Sequence, residues 1–184
     1  MSNHYLVGIG GTMRLNSYTR AATQTALRIA SEHGAQTEML DLRELNLPMF
    51  VPDFAAKDYL PEHQVSINKL LDACRKATAF LWCSPCYHGT VSGIFKNAID
   101  FLELLSDDDP PYITGKCVGL MAVNDSKTFS AMSNSVHEVR AWLAPTHIML
   151  TKKDFDADLT LTSESSLRRM ARLVQELMSF GNLR

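Results

Sequence analysis

Ala77-Thr-Ala-Phe-Leu-Trp-Cys83, running straight into Ser84-Pro-Cys-Tyr-His-Gly89, decides how this chain folds. The first run is apolar without alternation, so both of its faces are buried, as in a central strand of a parallel sheet. Parallel strands need helical crossovers, and segments of helical period stand on either side. A helix from about Glu62 to Lys76, with Val65, Leu70 and Ala73 roughly aligned, precedes the strand. Another from about Ser92 to Leu105, with Phe95, Ala98 or Ile99, Leu102 and Leu105 inward, follows it and ends at the exposed loop Asp107-Asp-Asp-Pro-Pro111.

The same alternation extends to both ends of the chain. Tyr5-Leu-Val-Gly-Ile-Gly10 reads as the first strand. The helix from about Tyr18 to His33 aligns Ala22, Ala26, Ile29 and Ala30, and Gly34 stops it as a C-terminal glycine does. Thr37-Glu-Met-Leu-Asp-Leu42 is strand two, Lys116-Cys-Val-Gly-Leu-Met-Ala-Val123 strand four and Thr146-His-Ile-Met-Leu150 strand five. A fourth helix places Met132, Val136, Val139 and Leu143 at near-heptad spacing, and a last one, from about Ser163 to Phe180, aligns Leu167, Met170, Val174 and Leu177. Five βα units predict an α/β three-layer sandwich: a five-stranded parallel sheet in order 2-1-3-4-5 with helices on both faces. Ligands are then expected beyond the carboxyl ends of strands one and three.

Composition narrows the function classes. The chain has 184 residues, enough for one domain spanning 1–184, with 46% hydrophobic and 21% charged residues. Eighteen Lys and Arg against 20 Asp and Glu leave a net charge of −2, with no basic stretch for a nucleic-acid backbone. No apolar run approaches the length that spans a bilayer, and no secretory signal follows Met1. Four cysteines, Cys74, Cys83, Cys86 and Cys117, fit a reducing, cytoplasmic setting.

The loop after strand one, Gly10-Gly-Thr-Met-Arg-Leu-Asn-Ser17, fails the dinucleotide fingerprint because Met13 stands where glycine is needed. It also lacks the Gly-Lys-Ser/Thr ending of a P-loop. Thr12, Ser17 and Thr19 remain as hydroxyl donors, with Asn16 beside them, Arg14 as the charged partner and free N–H groups at the helix start. That is the chemistry of a monophosphate site; the alternative is that Asn16 or Ser17 only caps the helix. The loop after strand three carries Pro85, Cys86, Tyr87, His88 and Gly89, a rigid wall for a flat ring, and leads to Lys96, Asn97 and Asp100 on the next helix.

Gly10-Gly-Thr-Met-Arg-Leu-Asn-Ser17, Leu47-Pro-Met-Phe50 followed by Asp53, and Ser84-Pro-Cys-Tyr-His-Gly89 leading to Gly93-Ile-Phe-Lys-Asn-Ala-Ile-Asp100 together resemble the NADPH-dependent FMN reductase family. The resemblance runs from about residue 5 to residue 150 and implies a flavodoxin-like fold. It implies that Thr12, Arg14, Asn16 and Ser17 hold the FMN phosphate and that Pro85 to Gly89 hold the isoalloxazine ring, with Tyr87 and apolar residues near Phe50 positioning it. Hydride from NADPH, or NADH, would pass through FMN to free flavin, a quinone, an azo compound or a metal oxyanion. A homodimer or homotetramer is implied, with the helix after the third-strand loop at the interface. Two departures stand out: Cys86 where relatives often have glutamate or another non-thiol residue, and Asn124-Asp-Ser-Lys-Thr-Phe129 where relatives are often glycine-rich.

A flavin carries the hard chemistry itself, which agrees with the absence of a nucleophile triad or paired carboxylates; no catalytic side chain is expected. Two other readings compete. A flavodoxin-type electron carrier is usually strongly acidic, unlike this chain. A thiol oxidoreductase would use Cys83 and Cys86, whose spacing is that of a redox pair, although Cys83 lies at an inward-looking strand end. A zinc site lacks a second cysteine pair. His88 either touches substrate or is a solvated loop residue. Asp41 imitates a ribose-binding acid but reads better as an exposed strand-end carboxylate, and Lys127 as a solvated cation.

Overall fold

The computed structural model of the chain describes residues 4–180. Its strands are β1 (Tyr5–Gly10), β2 (Gln36–Asp41), β3 (Ala79–Pro85), β4 (Cys117–Val123) and β5 (Trp142–Leu150). They form one parallel sheet in order β2-β1-β3-β4-β5, as the sequence predicts. Every residue of β3 and β4 is buried, because helices cover both faces.

One face carries α3 (Pro61–Lys76), α4 (Gly93–Asp100) and α5 (Thr128–Glu138) over a core that includes Val7, Ile9, Phe80, Trp82, Val118 and Leu120. The other carries α1 (Tyr18–Glu32) and α6 (Glu164–Phe180) over Leu6, Leu81, Cys83, Met121 and Ile148. The alternation of Phe80 and Trp82 to one side and Leu81 and Cys83 to the other is the period-two pleat of the strand. A short α2 (Leu42–Leu45) follows β2 directly. Gly34 adopts φ = 87° just past α1, the left-handed turn that glycine enters without strain.

Several boundaries differ from the sequence reading. The helix expected to reach Leu105 is α-helical only to Asp100 and continues as a 3-10 turn over Phe101–Leu105. Leu143 belongs to β5 and not to the helix before it: α5 ends at Glu138, and Arg140 takes φ = 60°, which no helix continues through. Val65 is 71% exposed, whereas Ile67 turns inward with Leu70 and Ala73, because the buried stripe of α3 lies one step round the helix from the expected one.

Candidate functional site

Beyond the carboxyl ends of the strands, the loops after β1, β3 and β4 meet. Thr12, Arg14, Asn16, Ser17 and Thr19 from the first loop share one cleft with Pro85 and Tyr87 from the second. Tyr18, Val123 and Asn124 complete its lining. The fold therefore brings together residues more than a hundred positions apart, as parallel crossovers at a switch point do.

Within the cleft, Ser17 is the N-cap of α1: its Oγ accepts the Arg20 N–H at 3.1 Å. It also lies 2.9 Å from the Thr19 Oγ1. The capping alternative and the place in the cleft thus both hold for Ser17, and Thr19, 2% exposed, serves to fix the Ser17 hydroxyl. Thr12 Oγ1 accepts the Arg14 N–H at 3.2 Å and shapes the turn. No carboxylate lines the cleft, and Arg14 makes no ion pair among the described residues, whereas Arg20 is engaged by Asp41 and Glu44. A donor-rich, cation-bearing cleft at a helix N-terminus fits a phosphate group.

The two main loops are stitched together. The Gly11 N–H donates to the Cys83 C=O at 3.0 Å. Ser92 Oγ donates to the Gly11 C=O at 2.7 Å, and the Ser92 N–H donates to Ser84 Oγ at 3.1 Å. Gly11 is needed because a Cβ there would stand 2.8 Å from the Phe95 Cβ, so any side chain would push α4 away from the loop.

Pro85 and Tyr87 reach the cleft; Cys86, His88 and Gly89 do not line it. They belong to a tight hairpin turn in which Tyr87 and Thr90 exchange backbone bonds at 2.9 and 3.2 Å. His88 (φ = 53°) and Gly89 (φ = 86°) form its exposed tip, the conformation of a two-residue hairpin connection. Phe50 does not line the cleft either; it packs edge-on to Phe101 at 5.4 Å.

Asn97, named by sequence only as part of the Lys-Asn-x-x-Asp run, has a definite task. Its Oδ1 accepts the Phe50 N–H at 2.9 Å and its Nδ2 donates to the Pro48 C=O at 2.8 Å, clasping the Leu47-Pro-Met-Phe50 segment to α4. Lys96 pairs with Asp100 along the same helix. Asp41 corrects the sequence reading: it is not an exposed strand-end group but is engaged by Arg20 and caps α2 through the Arg43 N–H at 3.0 Å. Lys127 is held near Asp125 at 3.6 Å. Sequence reasoning did not place Tyr18, Val123 or Asn124 in the site, although Asn124 opens the departing loop; the available signal was their position at a helix start, at the last residue of a predicted strand and just beyond it.

All four cysteines are free thiols. Burial pushes the Cys83 and Cys74 thiols up to about 12 and Cys117 up to about 11, so none of the three supplies a thiolate at neutral pH. Cys86 alone is part-exposed. Brief alkylation of the native protein is therefore expected to modify Cys86, with the other three reacting only after denaturation, as read by peptide mass mapping. Labelling of Cys83 as fast as Cys86 would contradict the buried placement. The same burial removes the basis for a Cys83/Cys86 thiol oxidoreductase.

The sequence matches the NADPH-dependent FMN reductase family over residues 5–155. The chain belongs to that family. Membership makes it a flavin-dependent oxidoreductase of the kind that couples NADPH to FMN. Among curated relatives, an FMN-dependent NADPH-azoreductase of Staphylococcus saprophyticus is 29% identical over 180 residues, covering 94% of this chain and 92% of that protein. The NADPH-dependent FMN reductase ArsH of Shigella flexneri is 27% identical over 180 residues, covering 94% and 67%. Among solved structures, FerB of Paracoccus denitrificans, a flavoenzyme NAD(P)H:(acceptor) oxidoreductase, superposes with a TM-score of 0.72 at 18% identity and 98% coverage of both chains. An archaeal flavodoxin gives 0.60 at 10% identity over 95% of this chain and 98% of that one. At those identities the structural likenesses speak for the flavodoxin-like fold of the reductase, not for its substrates.

Proposed function

We propose that the cleft shared by the loops after β1, β3 and β4 seats FMN. In this reading NADPH, or NADH, reduces the bound flavin, which serves a small acceptor such as free flavin, a quinone, an azo compound or a similar molecule. The observation that carries the reading is the convergence of a hydroxyl-rich, carboxylate-free loop bearing Arg14 with the Pro85–Tyr87 wall in a single cleft.

Bound FMN supplies the redox chemistry, uptake of hydride and its delivery to the acceptor. The chain's own residues bind and orient. Thr12, Asn16 and Ser17 donate to the phosphate, Arg14 balances its charge, and Thr19 holds the Ser17 hydroxyl in place. Pro85 and Tyr87 bound the cleft, and the flavin ring would meet the adjoining turn of Cys86, His88 and Gly89 outside that lining. Backbone N–H groups of the turn favour negative charge on the ring edge. No side chain is assigned a proton-transfer role.

The organisation is that of one domain over 1–184, and the working state proposed is a cytoplasmic homodimer or homotetramer. Among the described residues no helix is long and apolar enough to cross a membrane.

The test is the visible spectrum of the purified protein, before and after FMN addition, followed by anaerobic NADPH. A bound flavin chromophore that bleaches with NADPH supports the reductase. Bleaching by dithionite alone would make the protein an electron carrier. No retained flavin, even with added FMN, would overturn the cleft assignment.

A further inference from the structure

A second groove lies beside the cleft, between α1 and the turn that follows β5. Its volume is about 440 Å³, within the range of small-molecule sites. Leu15 and Gln24 line it from one side, Leu159 and Leu161 from the other. Ser17 lines both the groove and the cleft, so the groove begins at the end of the cleft where the hydroxyls and Arg14 gather. Its far wall is preformed. Phe155 meets the Tyr18 ring at 5.1 Å and bridges to Leu161 across the turn, and Asp156 Oδ1 accepts the N–H groups of Asp158 at 3.0 Å and Thr160 at 2.8 Å.

Three features of the groove have no use in holding FMN alone. Along the loop after β1, Thr12, Arg14 and Asn16 line the cleft, whereas Leu15 lines the groove and is left 69% exposed. The Gln24 carboxamide is exposed and makes no hydrogen bond among the described residues. Arg20 and Arg28 outweigh Asp158 on the walls, so the groove favours an anion, as the cleft does. Leucines on two walls suit the faces of a flat base, and a carboxamide, with a donor and an acceptor side by side, matches the edge of adenine. Gln24 stands two turns, about 10 Å, along α1 from Ser17, the reach from the phosphate of a nucleotide to its base.

We propose that this groove takes the adenylate half of flavin adenine dinucleotide, so that the chain binds FAD as well as FMN, the flavin and its first phosphate in the cleft and the AMP unit along α1. The proposal rests on the assignment of the cleft to FMN and adds a ligand and a binding surface to it. The adenylate of NADPH is a poorer occupant: its nicotinamide has to meet the flavin ring, whereas the groove opens from the phosphate end.

The experiment titrates the apoprotein with FMN and with FAD, for the parent and for the double variant Leu15→Ala, Gln24→Ala. The parent should bind FAD about tenfold more tightly than FMN; the variant should bind the two within about twofold of each other, with its FMN affinity unchanged. Both side chains are exposed, so the midpoint of thermal unfolding should hardly move. FAD binding no tighter than FMN binding in the parent would overturn the proposal, as would equal losses for the two flavins in the variant. The KM for NADPH of the FMN-loaded protein should be the same in both; a rise in the variant would give the groove to the nicotinamide nucleotide instead. If the parent binds neither flavin, the cleft assignment itself falls, a result separate from all of these.

Discussion

In titrations of the apoprotein, Arg14→Ala is expected to bind FMN roughly ten- to a hundredfold more weakly while riboflavin binding stays near that of the parent. Arg14 is the cation among the residues lining the cleft. A guanidinium meets a phosphate with charge and with paired N–H donors, and alanine removes both. Arg14→Lys keeps the charge but not the fork, so its affinity should fall between the two. The loss should also shrink as salt is raised, because the side chain is exposed and its field is screened. An unchanged FMN affinity in Arg14→Ala would remove the phosphate site from this loop.

The second large effect is on stability. Trp82→Ala is expected to cost about 3–5 kcal/mol, the range for deleting a buried aromatic side chain. Trp82 is fully buried at the middle of the sheet and meets Phe95 edge-on at 5.7 Å. The substitution would open a cavity directly under α4. For a chain of this size the midpoint of thermal unfolding should drop on the order of 10 °C, a large part of a stability typically about 5–15 kcal/mol. Trp82→Phe should cost much less. The indole Nε1 is buried without a hydrogen-bond partner among the described residues, so phenylalanine gives up contact area but also removes an unsatisfied donor. A drop of only a degree or two in Trp82→Ala, measured by calorimetry, would show that the core is not packed around this residue.

The fold was readable because its signals are local. Strands buried on both faces, such as β3, show as continuous apolar runs, and the helices between them show their inward stripes, so strand order follows from a small set of allowed crossovers. The misreadings come from places where local pattern and tertiary contact disagree. Val136, Val139 and Leu143 keep a helical spacing, yet Arg140 turns the chain at positive φ and Leu143 joins β5. Asp41 looked like a bare strand end because its partner, Arg20, comes from a helix twenty-one positions earlier.

The use of the loop after β1 as a phosphate site is the proposal that the Arg14 titration tests; its hydroxyl-rich make-up, with its asparagine and arginine, was legible in residue types. The clasp made by Asn97 was not, because its partners lie 47 and 49 positions away and are backbone atoms with no residue signature. Asn124 stood out in sequence only as the start of a loop that departs from its relatives, and its place beside Arg14 and Tyr87 needed the fold.

The bonds joining Gly11 to Cys83 and Ser92 to Gly11 have a thermodynamic consequence. Loops tied this way are ordered together, so occupying the proposed phosphate site would lower the entropic cost of organising the turn beyond β3, and the reverse would hold to the same extent. The two ends of a flavin mononucleotide would therefore bind with positive cooperativity, each fragment raising the affinity for the other.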